Sequence, residues 1–338
     1  MIQTTGASPG ALALPPLVET AQGAVRRVGV EIEFARLGAR RAAEALAAEL
    51  GGAAVEEDRH AFVVRGSRLG DITVELDCRY LHPRRRDAAM RLRLGRRSAA
   101  WLGAILSPIV PCEMVTAPLS VTRLADIDLA IAALRRAGAA GRGTTLFASL
   151  GLHFNIETPS LDAGTIAAFL KAFALLEPWL RRNRSRSVHE RLTRLGERYP
   201  EAYARRLVAP DYWPDLQDLA DDYLAANPTR RRDLDLLPLF LFLDEARVRA
   251  RLPYEKIGAR PAFHYRLAHA HVGDAAWSLL AEWNGWLAVE NLAADRDRLN
   301  ALGYAYRRFE GKPTAWADVV ATAARAPSLS TALMSARP

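Results

Sequence analysis

Four short stretches alternate apolar residues with acidic, imidazole, amide or guanidinium side chains, and this alternation limits the fold more than anything else in the chain. They are Gly29-Val-Glu-Ile-Glu-Phe34, Asp71-Ile-Thr-Val-Glu-Leu-Asp77, Gly151-Leu-His-Phe-Asn-Ile-Glu157 and Phe263-His-Tyr-Arg-Leu267. Successive strand side chains point to opposite faces. In the first stretch Val30, Ile32 and Phe34 therefore share one face, and Glu31 and Glu33 share the other. The same split repeated in several strands predicts one sheet with an apolar back and a carboxylate-lined front. A front of that kind is what a site for magnesium and phosphate requires.

The rest of the pattern predicts an α+β protein. It would have a mainly antiparallel sheet with a polar carboxylate-lined face, helices on the other face and a helical insertion. Residues 1–24, rich in Ala, Pro, Gly and Thr, read as a flexible N-terminal arm. Residues 25–312 read as one main domain, the catalytic domain of the family resemblance described below, with 161–255 a helical block within it, and 313–338 as a weakly patterned tail. Helices are expected at Arg40–Leu50, stopped by Gly51-Gly52, and at Asp87–Leu106. A third, with Thr122 as N-cap, carries Leu124, Ile127, Ile131 and Leu134 at helical spacing. A Trp-rich helix is expected over Trp277–Leu292.

Composition excludes several classes. Cys78 and Cys112 are the only cysteines, too few for a disulfide scaffold and without zinc-site spacing. No secretory signal pattern opens the chain, and no apolar run approaches the roughly 18–20 residues that cross a bilayer, so a cytoplasmic protein without a membrane partner is expected. Only three of the 46 basic residues, Lys171, Lys256 and Lys312, are lysines, and the formal net charge is +8. Guanidinium suits bidentate contact with carboxylate and phosphate. A nucleic-acid partner is nevertheless disfavoured, because no zinc finger, basic zipper or single-strand aromatic motif is present. Walker, G-x-G-x-x-G and G-x-S-x-G patterns are also missing.

Each candidate site residue has a plainer alternative. Glu31 and Glu33 repel unless a cation or arginine lies between them; the alternative is a solvent-facing strand edge. Glu75, with Asp77, repeats the geometry more weakly. Glu113 sits among apolar residues in Pro111-Cys-Glu-Met-Val-Thr-Ala-Pro118, where an unpaired carboxylate is costly. His153 and Asn155 share the polar side of their strand, with a structural histidine as the alternative. His264 and Arg266 repeat the spacing with basic groups, and a surface ion pair is the plain reading of them. In Arg181-Arg-Asn-Arg184 and Thr229-Arg-Arg-Arg232, Arg181 is a candidate for nucleotide, and Arg182, Arg230 and Arg232 for substrate carboxylate.

In this order the motifs resemble the amidoligases, a branch of the carboxylate–amine ligase superfamily that includes glutamine synthetase and glutamate–cysteine ligase. The resemblance runs from about Val28 to Tyr306. It rests on Gly29–Phe34, Pro111–Leu119, Gly151-Leu-His-Phe-Asn155 and Arg260-Pro-Ala-Phe-His-Tyr-Arg266. It implies a glutamine synthetase-like catalytic domain, with Glu31, Glu33, Glu113 and His153 as magnesium ligands and Arg266 on the γ-phosphate of ATP. Asn155 stands where relatives often carry a second histidine, and His264 where they usually carry a glutamate that completes a metal site. The implied reaction phosphorylates a small-molecule or peptide carboxylate with ATP, and an amine then displaces phosphate. Two other readings stay open: a non-catalytic descendant that binds a ligand or partner in the same cleft, and an arginine-driven nucleic-acid binder. The sequence does not disclose the substrates or the oligomeric state.

Overall fold

The computed structural model describes residues 12–78, 110–141, 150–184, 196–309 and 311–325. The helix expected over Asp87–Leu106 lies outside them. The chain divides into two compact units. One, here the carboxylate unit, comprises Arg27–Ile156 and Ala268–Leu279. The other, the helical unit, comprises Met1–Arg26, Glu157–Leu267 and Leu280–Pro338.

The carboxylate unit is built on strands β1 (Arg27–Phe34), β2 (Ala53–Asp58), β3 (Ala61–Ser67), β4 (Gly70–Leu76), β5 (Cys112–Thr116), β6 (Leu119–Ser120) and β7 (Gly151–Glu157). They lie in the order β2-β3-β4-β5-β1-β7, with β6 also on β1, and every pairing among them is antiparallel. The register aligns Phe62 with Val74, Val74 with Met114, Met114 with Ile32 and Ile32 with Leu152. The sheet thus has one continuous apolar face. Helix α1 (Ala39–Leu50) covers it with Ala42, Ala43, Leu46 and Leu50, and Arg40 lies over the Phe62 ring at 4.9 Å. Gly51 and Gly52 end α1 at φ of +76° and +88°, where side-chain-bearing residues are strained. Helix α2 (Ile127–Arg136) packs on α1 through an apolar stripe that includes Ile131 and Leu134. Its entrance differs from the expectation at Thr122. Ser120 is the cap, accepting the Thr122 N–H at 3.2 Å, and a 3-10 turn over Val121–Asp126 precedes the helix.

The helical unit contains α3 (Ala163–Arg184), α4 (Glu201–Leu207), α5 (Leu216–Ala226), α6 (Leu237–Leu243), α7 (Glu245–Arg251), α8 (Leu279–Ala293), α9 (Arg296–Tyr306) and α10 (Pro313–Arg325). It also holds the short β8 (Leu234–Asp235), which pairs antiparallel with β9 (Ala262–His269). By length and composition Ala163–Arg182 is apolar enough to span a bilayer, contrary to the expectation that no segment is. It is the unit's core helix instead, mostly buried, with Phe169 stacked on Phe263 at 4.7 Å. Beyond Gly311, weakly patterned in sequence, α10 buries Trp316 completely, and its indole N–H donates to the Leu175 carbonyl at 2.8 Å.

One buried ion pair fixes the start of this unit's core. Arg26 and Glu290 are each about 1% exposed and join through two bonds of 2.8 and 2.9 Å. Trp286 also donates to Glu290, at 2.7 Å. The remaining Arg26 donors reach the carbonyls of Leu17 and Glu157. Such a pair is tolerable in the interior only when its remaining polar atoms are satisfied in this way.

Candidate functional site

The carboxylate unit's register decides what its polar face can do. Glu75 is directly opposite Glu113, and Glu113 is directly opposite Glu33. Three carboxylates on three adjacent strands therefore form one row across the sheet. Opposed side chains have Cβ atoms about 4.5–5.5 Å apart, and like charges at that separation destabilise the pairing. In the adjacent row, Thr73, Val115, Glu31 and His153 follow one another on β4, β5, β1 and β7. All four glutamates are partly buried, and His153 is 6% exposed.

Each end of the Glu31/Glu33 pair is held in place by β7. Gly151 donates its N–H to Glu33 Oε2 at 2.8 Å. Asn155 donates its amide to Glu31 Oε1 at 2.7 Å, and His153 Nδ1 lies 3.1 Å from Glu31 Oε2. A side chain at residue 151 would have to displace the His153 ring. A Cβ there would come 2.8 Å from His153 Nε2 and 3.4 Å from the Glu33 carboxylate. The alternation that makes the apolar face also sets this geometry, because Leu152 and Phe154 point to the core between His153 and its neighbours.

The donor set is chemically suited to a hard divalent cation. It has several carboxylate oxygens, with an imidazole nitrogen that magnesium seldom takes and manganese accepts readily. A cation between the opposed carboxylates would also relieve their repulsion. Cys112, beside Glu113, is not a nucleophile: its side chain turns to the apolar face, where burial pushes its thiol up to about 12.

The structure brings together Glu31, Glu33, Glu75, Glu113, His153 and Asn155 on one face of the carboxylate unit. The remaining candidates belong to the helical unit. His264 and Arg266 lie on β9, with His264 buried beside Asp235 and the Arg266 N–H donated to the Asp233 carbonyl at 2.7 Å. Arg181 is engaged by Glu177 and Asp233. Arg182 joins α10 through Asp318 and the Ala317 carbonyl. Arg232 bonds to Glu197 and to the carbonyls of Arg198 and Ala226. Arg230 reaches the Lys256 carbonyl and lies 4.0 Å from Asp235.

Three groups escaped the sequence reading. Gly151 is legible only as part of a motif, because the room beside it depends on where the His153 ring and the Glu33 carboxylate lie. Asp233 and Asp235 carry the same i, i+2 acid signature as Glu31 and Glu33, in Asp233-Leu-Asp-Leu236, but it lies within the stretch whose overall pattern is helical. Burial raises Asp233 to about 6 despite the opposing pull of Arg181.

The family model described as "Putative amidoligase enzyme" matches residues 24–288. The chain belongs to this family, whose name denotes amide-bond ligation. No curated protein and no solved structure matches it.

Proposed function

We propose that the chain is an ATP- and magnesium-dependent carboxylate–amine ligase that forms an amide through an acyl phosphate. The observation that carries this reading is the row Glu75–Glu113–Glu33 with Glu31 and His153 alongside. Partly buried acids set directly opposite one another make a poor scaffold and a good cation cradle.

On this reading Glu31, Glu33, Glu75, Glu113 and His153 hold magnesium, which when bound supplies charge neutralisation to the phosphates. Gly151 and Asn155 keep the carboxylates aimed by occupying one lone pair on each of Glu33 and Glu31. Asn155 is also the candidate on this strand for contact with the nucleotide. The substrate carboxylate oxygen attacks the γ-phosphorus, the bond to ADP breaks, and an acyl phosphate forms. The amine nitrogen then attacks the acyl carbon, phosphate departs and the amine loses a proton. Arg266 enters on the family resemblance, as the guanidinium that stabilises the transferring phosphoryl group. No protein nucleophile is required, in keeping with the inert Cys112 thiol. The substrates are a small-molecule or peptide carboxylate and an amine.

The test is phosphate release from ATP and magnesium, screened over amino acids, polyamines and peptides. One acid–amine pair should stimulate release and yield an amide. Glu33→Gln and Arg266→Ala should each lose at least about 100-fold in turnover while remaining folded, the scale of losing an electrostatic stabiliser of the transition state. Undiminished ATP affinity in a Glu31→Ala/Glu33→Ala double variant would sink the reading.

A further inference from the structure

His264 stands where the amidoligase resemblance leads one to expect a glutamate, and the helical unit places a carboxylate directly across from it. Asp235 on β8 is the register partner of His264 on β9. Both side chains are buried, at 0% and 2% exposure, and Asp235 Oδ2 lies 3.7 Å from His264 Nδ1. The other oxygen, Oδ1, accepts the Leu237 N–H at 2.9 Å at the start of α6, which fixes the plane of the carboxylate. Oδ2 has no hydrogen-bond donor among the described residues, and the only other cation near it is Arg230, with Nε at 4.0 Å. Asp235 is thus pinned by one oxygen while the other is directed at the ring.

We propose that Asp235 is a positioning residue that keeps the His264 proton on Nδ1 and leaves Nε2 as the coordinating nitrogen. The physical argument is tautomeric. A neutral imidazole carries one N–H, and a fixed carboxylate beside Nδ1 favours the proton there. A carboxylate held behind the imidazole also orients the ring, as carboxylate–histidine pairs do behind metal ligands. The missing glutamate is then replaced by two residues, an imidazole that ligates and an aspartate that supplies the negative charge behind it. Arg230, in this arrangement, balances the Asp235 charge. The inference rests on the ligase reading only in what Nε2 binds.

Long-range proton–nitrogen spectra of the metal-free full-length protein test the orientation directly, with His264 assigned by difference from His264→Gln. Wild type should show the Nδ1–H tautomer, and Asp235→Asn should move the ring toward Nε2–H. Asparagine keeps an oxygen for the Leu237 N–H, so the start of α6 is preserved. A wild-type ring already in the Nε2–H form overturns the proposal, and this holds even if Asp235→Asn fails to fold. An unchanged tautomer in the variant overturns it as well. Titration with Mn2+ then tests the purpose: affinity should fall about 10- to 100-fold in Asp235→Asn, and an unchanged affinity also overturns it. Because the spectra need neither ATP nor turnover, a failed ligase assay and a failed tautomer prediction are told apart.

Discussion

The two units arrange their acids differently. Among the described residues of the helical unit, the buried carboxylates each meet a cation. Glu290 has Arg26, Glu177 has Arg198 and Arg181, Asp233 has Arg181, and Asp235 has Arg230 and His264. In the carboxylate unit Glu75, Glu113 and Glu33 stand opposite one another in a single row. An acid matched to a guanidinium is a strut, and taking it away leaves an unbalanced charge. Acids opposite one another repel, and neutralising one of them weakens the cradle for a cation. Substitutions in the helical unit should therefore act first on stability, and those in the row of acids first on cation binding.

The sharpest way to break this contrast is Arg26→Met. It strands Glu290 in the interior, and removing one partner of a buried pair costs about 3–5 kcal/mol. Urea unfolding should show that loss, and a change below about 1 kcal/mol would make the pair dispensable.

Asp233 gives the next largest effect, and it depends on pH. Its folded pKa is raised to about 6, above the unfolded range near 4. The folded protein therefore holds the proton more tightly. The resulting stabilisation is complete below pH 4 and is lost as pH rises through about 6. Two units correspond to about 3 kcal/mol. From pH 4 to 7, wild type should lose roughly that much relative to Asp233→Asn in urea unfolding. A difference that does not vary with pH would show that burial leaves this carboxyl unperturbed.

Gly151→Ala should cost less, about 1–2 kcal/mol of overpacking, because the added Cβ meets His153 Nε2. Its stronger signature is a weakened response to Mn2+ in calorimetry. Full retention of metal affinity would mean that the Glu33–His153 geometry is not needed.

The smallest effect on stability is expected in the row of acids. Glu113→Gln removes the middle charge of the row and should change metal-free stability by no more than about 1 kcal/mol. It should also abolish any increase in melting temperature caused by magnesium, since only binding to the folded state produces that increase. A loss of about 3 kcal/mol or more in the metal-free protein would make Glu113 a strut after all.

Much of the polar face was legible because period-two alternation is local: Glu31, Glu33, Glu113 and His153 each declare their side of the strand through their immediate neighbours. Which acid opposes which was not legible, because register depends on distant strands. β2 was missed for a related reason, its largely polar Ala-Ala-Val-Glu-Glu-Asp58 belonging to a sheet edge without a buried face to mark it. β8 is only two residues long and lies between helices, so its acids passed as part of a helical surface. In α10 the buried Trp316 is fixed by contacts with α3 and the turn around Phe309, which no reading of its own segment discloses.

Arg26 has one more consequence, for how the chain is threaded. Its guanidinium binds the carbonyl of Glu157, and two residues further in, Val28 pairs with Ile156. Residues 27–156 thus depart and return at the same place, like a noose drawn shut at its neck. Closing a loop of that length carries an entropic penalty that grows only slowly with the number of residues. One clasp can therefore tether a long excursion, and the neck is where the polypeptide could be severed and rejoined in a different order with least disturbance.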